Sequence, residues 1–144
     1  MMKCQARSGE QGFTLIELVL VITVLGILAV AALPSFINVS TQARQASMAG
    51  VVGAVRSGVS MYRANDLLTN GPPGNWPGTL DAAAAASTAG PGNTFFGTVL
   101  QTGVGDAAWK KGAGVNVYNY SDGTSTFVYT YTPATGAFTS PTGP

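Results

Sequence analysis

The feature that most constrains this chain of 144 residues is an apolar run near its amino end, Phe13 to Leu33, which holds one charged side chain. As an α-helix rising ~1.5 Å per residue, the run would extend about 31 Å, close to the thickness of a bilayer's hydrocarbon core. It can therefore span a membrane. The one charge is Glu17, and an ionisable group inside a membrane segment is by default a functional candidate.

The charges around the run predict its orientation. Lys3 and Arg7 precede it, against Glu10, whereas no charged residue occurs from Leu18 to Ala43. Because basic flanks are retained on the cytoplasmic side of a membrane, we expect the amino end to lie inside and the carboxyl part to lie outside.

Two ordinary interpretations of the run are incomplete. A secretory signal would have an apolar stretch of ~7 to 15 residues and a small-residue cleavage site, for which Ala29-Val30-Ala31 could serve. The length of the run and the presence of Glu17 argue against that interpretation. A single-pass anchor explains the length, but it gives no reason for Glu17 or for the glycine directly before the run.

A third interpretation takes the string Gly12-Phe13-Thr14-Leu15-Ile16-Glu17 as one unit. This string resembles the cleavage and methylation motif of type IV pilins and of the pseudopilins of type II secretion. The resemblance implies that residues 1–12 are a leader peptide. A prepilin peptidase would cut between Gly12 and Phe13 and then methylate the new amino group of Phe13.

The resemblance also implies a role for Glu17, which would pair with the Phe13 amine of a neighbouring subunit during assembly. In the cleaved chain Glu17 would be one helical turn from its own amine, on the same side of the helix. An unpaired carboxylate in the membrane costs ~2.5 to 3.5 kcal/mol or more, and pairing would remove much of that cost. The alternative is that Glu17 snorkels to the interface, where the helix dipole favours negative charge.

Pro34 follows the membrane segment, residues 13–33, at once. It lacks an amide hydrogen and crowds the carbonyl of residue 30, so we expect a kink there. Helical spacing then resumes, which predicts an amphipathic continuation over residues 34–66 that ends near Asn65. Its stripe comprises Phe36, Val39, Ala43, Ala46, Gly50, Val52, Val55, Val59 and Tyr62. Interior glycines such as Gly53 and Gly58 cost ~1 kcal/mol each, which close packing against the head or a neighbour should offset.

Residues 67–144 are rich in glycine and proline and predict a small head. Strands are expected at 115–120 and 124–131, joined by a turn at Ser121-Asp122-Gly123, with a third short strand at 137–139. Asp81 and the five alanines after it predict a capped short helix that stops near Gly90-Pro91. A sheet this small cannot bury an aromatic face alone. The expected fold is therefore α+β, a long helix packed on a small antiparallel sheet across the valine stripe.

Several classes of site are disfavoured by composition. Histidine is absent and the only cysteine is Cys4, in the leader, so Ser/His and Cys/His nucleophiles are excluded. The cleaved chain could form no disulfide, unlike many type IV pilins, whereas some pseudopilins use calcium instead. Asp106 and Asp122 are the acidic candidates, but isolated aspartates make no calcium loop. We expect no metal, no cofactor and no enzymatic activity, and the balanced charge argues against nucleic-acid binding.

The sequence thus predicts a structural subunit of a type IV pilus-like filament. Its expected partners are copies of itself and related pilins, a prepilin peptidase, the inner-membrane assembly platform and the membrane. It would sit in the inner membrane before assembly and in a periplasmic or cell-surface filament, such as an adhesion or motility pilus, afterwards. One alternative is a type II secretion pseudopilin. A second is an anchored or secreted ligand-binding domain, with Trp76, Trp109 and the tyrosines of the second strand as a sugar-contacting surface.

Overall fold

A computed structural model describes residues 12–140 of the chain. The described residues form one long helix, α1 (Leu15–Asn70), and four strands, β1 (Trp109–Lys111), β2 (Val117–Ser121), β3 (Thr126–Thr132) and β4 (Ala137–Thr139). The chain divides into two compact units between Val39 and Ser40. This architecture confirms the predicted α+β fold class. Cys4 and the rest of the expected leader before Gly12 lie outside the described residues.

The helix α1 continues through Pro34, which lies inside it, so the predicted helical continuation is confirmed. The kink at Pro34 and the boundaries of the four predicted segments stay predictions. The helix ends at Asn70 rather than near Asn65. Gly71 adopts a φ of 81°, and its amide donates to the carbonyl of Leu67 at 3.1 Å. A glycine in the left-handed region is a common helix stop, so Gly71 sets the boundary.

The four strands form one antiparallel sheet in the order β1-β2-β3-β4. The predicted hairpin is confirmed, with Tyr118 of β2 opposite Tyr129 of β3, and the short strand β4 is confirmed with Phe138 opposite Tyr131. Strand β1 was not predicted, and it pairs with β2 so that Trp109 lies opposite Tyr120. The sheet therefore presents aromatic side chains from all four strands.

The sheet packs against the valine stripe of α1, as expected. Val52, Val55 and Val59 are buried with Met48 in one core with the aromatic side chains of the sheet. The helix and sheet are also joined by hydrogen bonds: Arg56 Nε donates to the Phe138 carbonyl at 2.9 Å. Phe36 and Val39, in the earlier part of the predicted stripe, are 71% and 62% exposed. Among the described side chains of α1, the first that is buried is Met48, which lies after the division between Val39 and Ser40.

The interior glycines of α1 have two different environments. A Cβ atom built on Gly58 would lie 2.5 Å from the carbonyl oxygen of Val99, whereas one built on Gly53 would meet nothing within 4 Å. Close packing against the head is therefore confirmed for Gly58. At Gly53 none of the described residues packs closely on the Cβ position, so compensating packing against a neighbouring molecule stays a prediction.

The short alanine helix predicted after Asp81 is wrong, because residues 81–84 adopt no regular structure. The carboxylate of Asp81 is buried and pairs with Lys111 Nζ at 2.8 Å. It also accepts hydrogen bonds from the amides of Ala83 at 3.0 Å and Phe96 at 3.1 Å. A single turn of alanines has little helical stability of its own, so the ion pair inside the head decides the conformation.

Candidate processing and assembly site

Thr14 defines the start of α1. Gly12, Phe13 and Thr14 have non-helical backbone, and α1 begins at the next residue. The carbonyl of Thr14 accepts the amides of Glu17 at 3.1 Å and Leu18 at 3.3 Å, and its hydroxyl oxygen accepts the Glu17 amide at 3.4 Å. Thr14 is therefore the N-cap of α1 and Glu17 is the third helical residue. This role was not predicted from the sequence, although Thr-x-x-Glu before an apolar run is the spacing of a capping box.

The peptide bond expected to be cut is accessible. Gly12 and Phe13 are both exposed, Phe13 to 85%. A Cβ atom at Gly12 would meet nothing within 4 Å, and the glycine is not in the left-handed region. None of the described residues therefore requires glycine at this position.

Glu17 lies in the first turn of α1 and is exposed. Phe13 precedes the helix in the uncut chain, so the two residues are not one turn apart on a continuous helix there. The shared side and the pairing with a neighbour's amine concern the cleaved chain, and both stay predictions. A carboxylate in the first turn also interacts favourably with the positive end of the helix dipole.

The apolar run that follows buries none of its large side chains. Those between Phe13 and Leu33 are 44% to 85% exposed. Among the described residues, α1 is the one helix long and apolar enough to cross a membrane. An apolar surface of this extent is far larger than a soluble monomer exposes, so it needs lipid or other protein around it.

The two acidic residues considered for calcium are engaged in turns of the head. Asp122 accepts the amides of Thr124 at 2.8 Å and Ser125 at 2.6 Å, and the Gln45 side chain at 2.8 Å. The hydrogen bonds from the Ser125 amide, Gln45 and the Thr124 amide hold the pKa of the Asp122 carboxyl below its usual value. Asp106 accepts the amide of Ala108 at 2.9 Å. Residues 12–140 contain no cluster of three or more side chains suited to a metal ion.

The proposed sugar-contacting surface is wrong for most of its members. Trp109 and Tyr129 are completely buried, and Tyr131 is 2% exposed. These rings contact one another, for example Trp109 and Tyr129 with centroids 5.8 Å apart. Trp76 is partly exposed, but the guanidinium of Arg63 lies 4.4 Å from its ring. The aromatic residues of the head therefore form its core.

Comparison with protein families identifies the amino-terminal segment. The family described as the prokaryotic N-terminal methylation motif matches residues 7–33. The match includes Gly12, Phe13 and Glu17 and ends at Leu33, the last residue of the apolar run. The chain carries the prepilin-type motif that is typical of type IV pilins and pseudopilins. Neither a curated protein nor a solved structure gives a significant match.

Proposed function

We propose that this chain, which has the prepilin-type motif, is a structural subunit of a type IV pilus-like filament. In this proposal a prepilin peptidase cuts between Gly12 and Phe13 and methylates the Phe13 amine. The observation that supports it best is the exposed apolar surface of α1 from Leu15 to Leu33, in which Glu17 is the one charged residue. Such a helix is stable in lipid or packed against other helices, and a filament supplies the second environment.

Assembly would exchange lipid contacts for contacts with neighbouring helices. The apolar side chains remain out of water throughout, so the exchange costs little hydrophobic free energy. Glu17 makes the exchange selective, because its carboxylate gains a partner only when the amine of a neighbouring Phe13 docks beside it. A methylated amine still carries a proton at neutral pH, so methylation preserves this ion pair.

The head would contribute a folded surface rather than a catalytic site. Its core closes around aromatic side chains, and among the described residues nothing combines a nucleophile with a histidine, which the chain lacks. Its partners would be copies of itself, related pilins, the prepilin peptidase and an assembly platform in the inner membrane. The amino end would face the cytoplasm before assembly.

The second candidate is a pseudopilin of a type II secretion system. It is favoured by the absence of any cysteine from Phe13 onwards, since many major pilins close their carboxyl-terminal region with a disulfide. In this head the buried pair Asp81–Lys111 links two distant segments instead. Deletion of the chain should abolish surface fibres if it is a pilin, and release of secreted proteins if it is a pseudopilin.

The proposed polymer can be tested directly. The full chain is expressed with a prepilin peptidase and an assembly platform, and sheared or pelleted fibres are probed with an antibody to the head. We expect fibres that contain the chain and depend on the peptidase. A processed chain that remains monomeric in the membrane, although the platform assembles another pilin, would contradict the proposal.

A further inference from the structure

The N-cap of α1 lies directly beside the bond that the proposed peptidase would cut. Thr14 is the last non-helical residue, and its hydroxyl and carbonyl oxygens accept the amides that begin the first turn, at 3.1 to 3.4 Å. Phe13 and Gly12 consequently remain outside the helix. The bond between them is separated from α1 by one residue of non-helical backbone and the cap.

This boundary is the result of a competition. The run after Thr14 forms a helix readily, and a helix tends to propagate into adjacent residues because each added residue gains a hydrogen bond. Two features oppose propagation towards the leader: the cap at Thr14, and Gly12, which is a poor helix former. Proteases cut preferentially in exposed segments outside regular structure. Extension of α1 over Phe13 and Gly12 would therefore hide the bond.

We propose that Thr14 is a positioning residue for leader cleavage. Its hydroxyl ends α1 just after the cleavage site and keeps Gly12 and Phe13 in the non-helical backbone that the peptidase binds. The inference rests on the proposed cleavage between these two residues and adds the reason why the bond is accessible. Thr14 acts through the conformation of its neighbours and has no part in the chemistry of the cut.

The test compares three full-length precursors in detergent micelles with purified prepilin peptidase: wild type, Thr14→Val and Thr14→Ser. Valine has the shape of threonine but no hydroxyl, whereas serine keeps the hydroxyl. Loss of an N-cap typically shifts the local equilibrium by about five-fold. We expect Thr14→Val to raise KM by up to about five-fold with little change in kcat, because fewer molecules are in the binding-competent conformation. Thr14→Ser should behave as wild type.

A second measurement separates conformation from direct contact with the peptidase. The ¹³Cα chemical shifts of Gly12 and Phe13 should move towards helical values in Thr14→Val and remain unchanged in Thr14→Ser. Thr23→Val is the matched control. The Thr23 hydroxyl donates to the Leu20 carbonyl at 2.8 Å, well inside α1, so its loss should change neither the shifts nor the cleavage.

Two results would overturn the inference. One is a Thr14→Val precursor that is cut with wild-type KM. The other is slow cleavage of that precursor with unchanged shifts, which would mean that the peptidase contacts the hydroxyl itself. Failure of the wild-type chain to be cut after Gly12 is a different outcome, since it removes the proposed function and this inference together.

Discussion

The amino-terminal part of α1 and the head use their apolar side chains in opposite ways. Between Phe13 and Leu33 every large apolar side chain is at least 44% exposed, whereas Trp109, Tyr118 and Phe96 in the head are fully buried. The head therefore buries its large apolar side chains within one chain. The amino-terminal helix can do so only with lipid or other molecules. Changes in the first region should alter processing and assembly, and changes in the second should alter the stability of the fold.

Among changes that act on processing and assembly, the largest effect is expected at the cleavage site. Gly12→Val should leave uncut precursor in the membrane, with at least about a hundred-fold less mature chain, which is roughly 2.7 kcal/mol in the barrier to cleavage. A Cβ atom at this position meets none of the described residues within 4 Å, so the head should unfold at the wild-type temperature. Immunoblotting and intact mass measure the cleavage. Abundant mature protein from this variant would show that the cut lies elsewhere.

Glu17→Val should separate assembly from processing. We expect normal cleavage but at least about ten-fold less chain in sheared filaments, because the neighbour's amine loses its partner and ~1.4 kcal/mol already gives a factor of ten. Glu17→Gln, which keeps the shape and removes the charge, should show the same defect. Wild-type incorporation of either variant would contradict the pairing and leave Glu17 as a residue of the helix end alone.

The head should respond most strongly at its buried ion pair. Lys111→Met leaves the carboxylate of Asp81 buried without its cation, which typically destabilises a fold by about 3 to 5 kcal/mol. Lys110→Met is the matched control, because Lys110 is adjacent but exposed, and it should change stability by less than about 0.5 kcal/mol. Urea unfolding of the full chain in detergent, followed by tryptophan fluorescence, gives both values. Equal stabilities of the two variants would show that the pair does not stabilise the head.

Gly53 and Gly58 of α1 allow the same substitution to be compared in two environments. Gly58→Ala should destabilise the head by about 1 to 3 kcal/mol, because the new methyl group collides with the Val99 backbone. Gly53→Ala should stabilise the isolated chain by up to about 1 kcal/mol, since its site is open. Thermal unfolding tests both. If Gly53→Ala also reduces filament yield, a neighbour packs on that face; unchanged yield would leave the face free.

The smallest effect is the acid response of Asp122. Its pKa is lowered in the folded chain, so its stabilising contribution is present above the unfolded pKa of ~3.9 and is lost as the pH falls through the lower folded value. Asp122→Asn should therefore reduce the difference in unfolding free energy between pH 7 and pH 2.5. Identical pH profiles for the two proteins would show that the three hydrogen bonds to Asp122 do not stabilise the fold.

Much of the fold was predictable because its signals are local. The continuation of α1 past Pro34, the β2–β3 hairpin and β4 all follow from residue spacing and turn chemistry, and the string from Gly12 to Glu17 marked the candidate site. The predictions that failed concern residues whose conformation depends on partners far away in the sequence. Lys110 and Lys111 show no strand pattern, and β1 exists because β2 pairs with it.

At Asp81 a distant partner overrides a local helix signal. Its local sequence favours a helix start, but Lys111, thirty positions later, holds its carboxylate in the core. No pattern in the neighbouring residues indicates that pair. The Thr14 cap was different, since its spacing to Glu17 was available in the sequence. The same residues belong to the string that resembles the cleavage motif, so one short segment carries both signals.

The most direct test of the whole account is the amino terminus of the mature protein, measured by intact mass and sequencing of material from filaments or membranes. The account predicts a chain that begins at Phe13 with a methylated amine. A chain that begins near Ala32, as ordinary secretion would produce, or that retains residues 1–12 in assembled material, would contradict it.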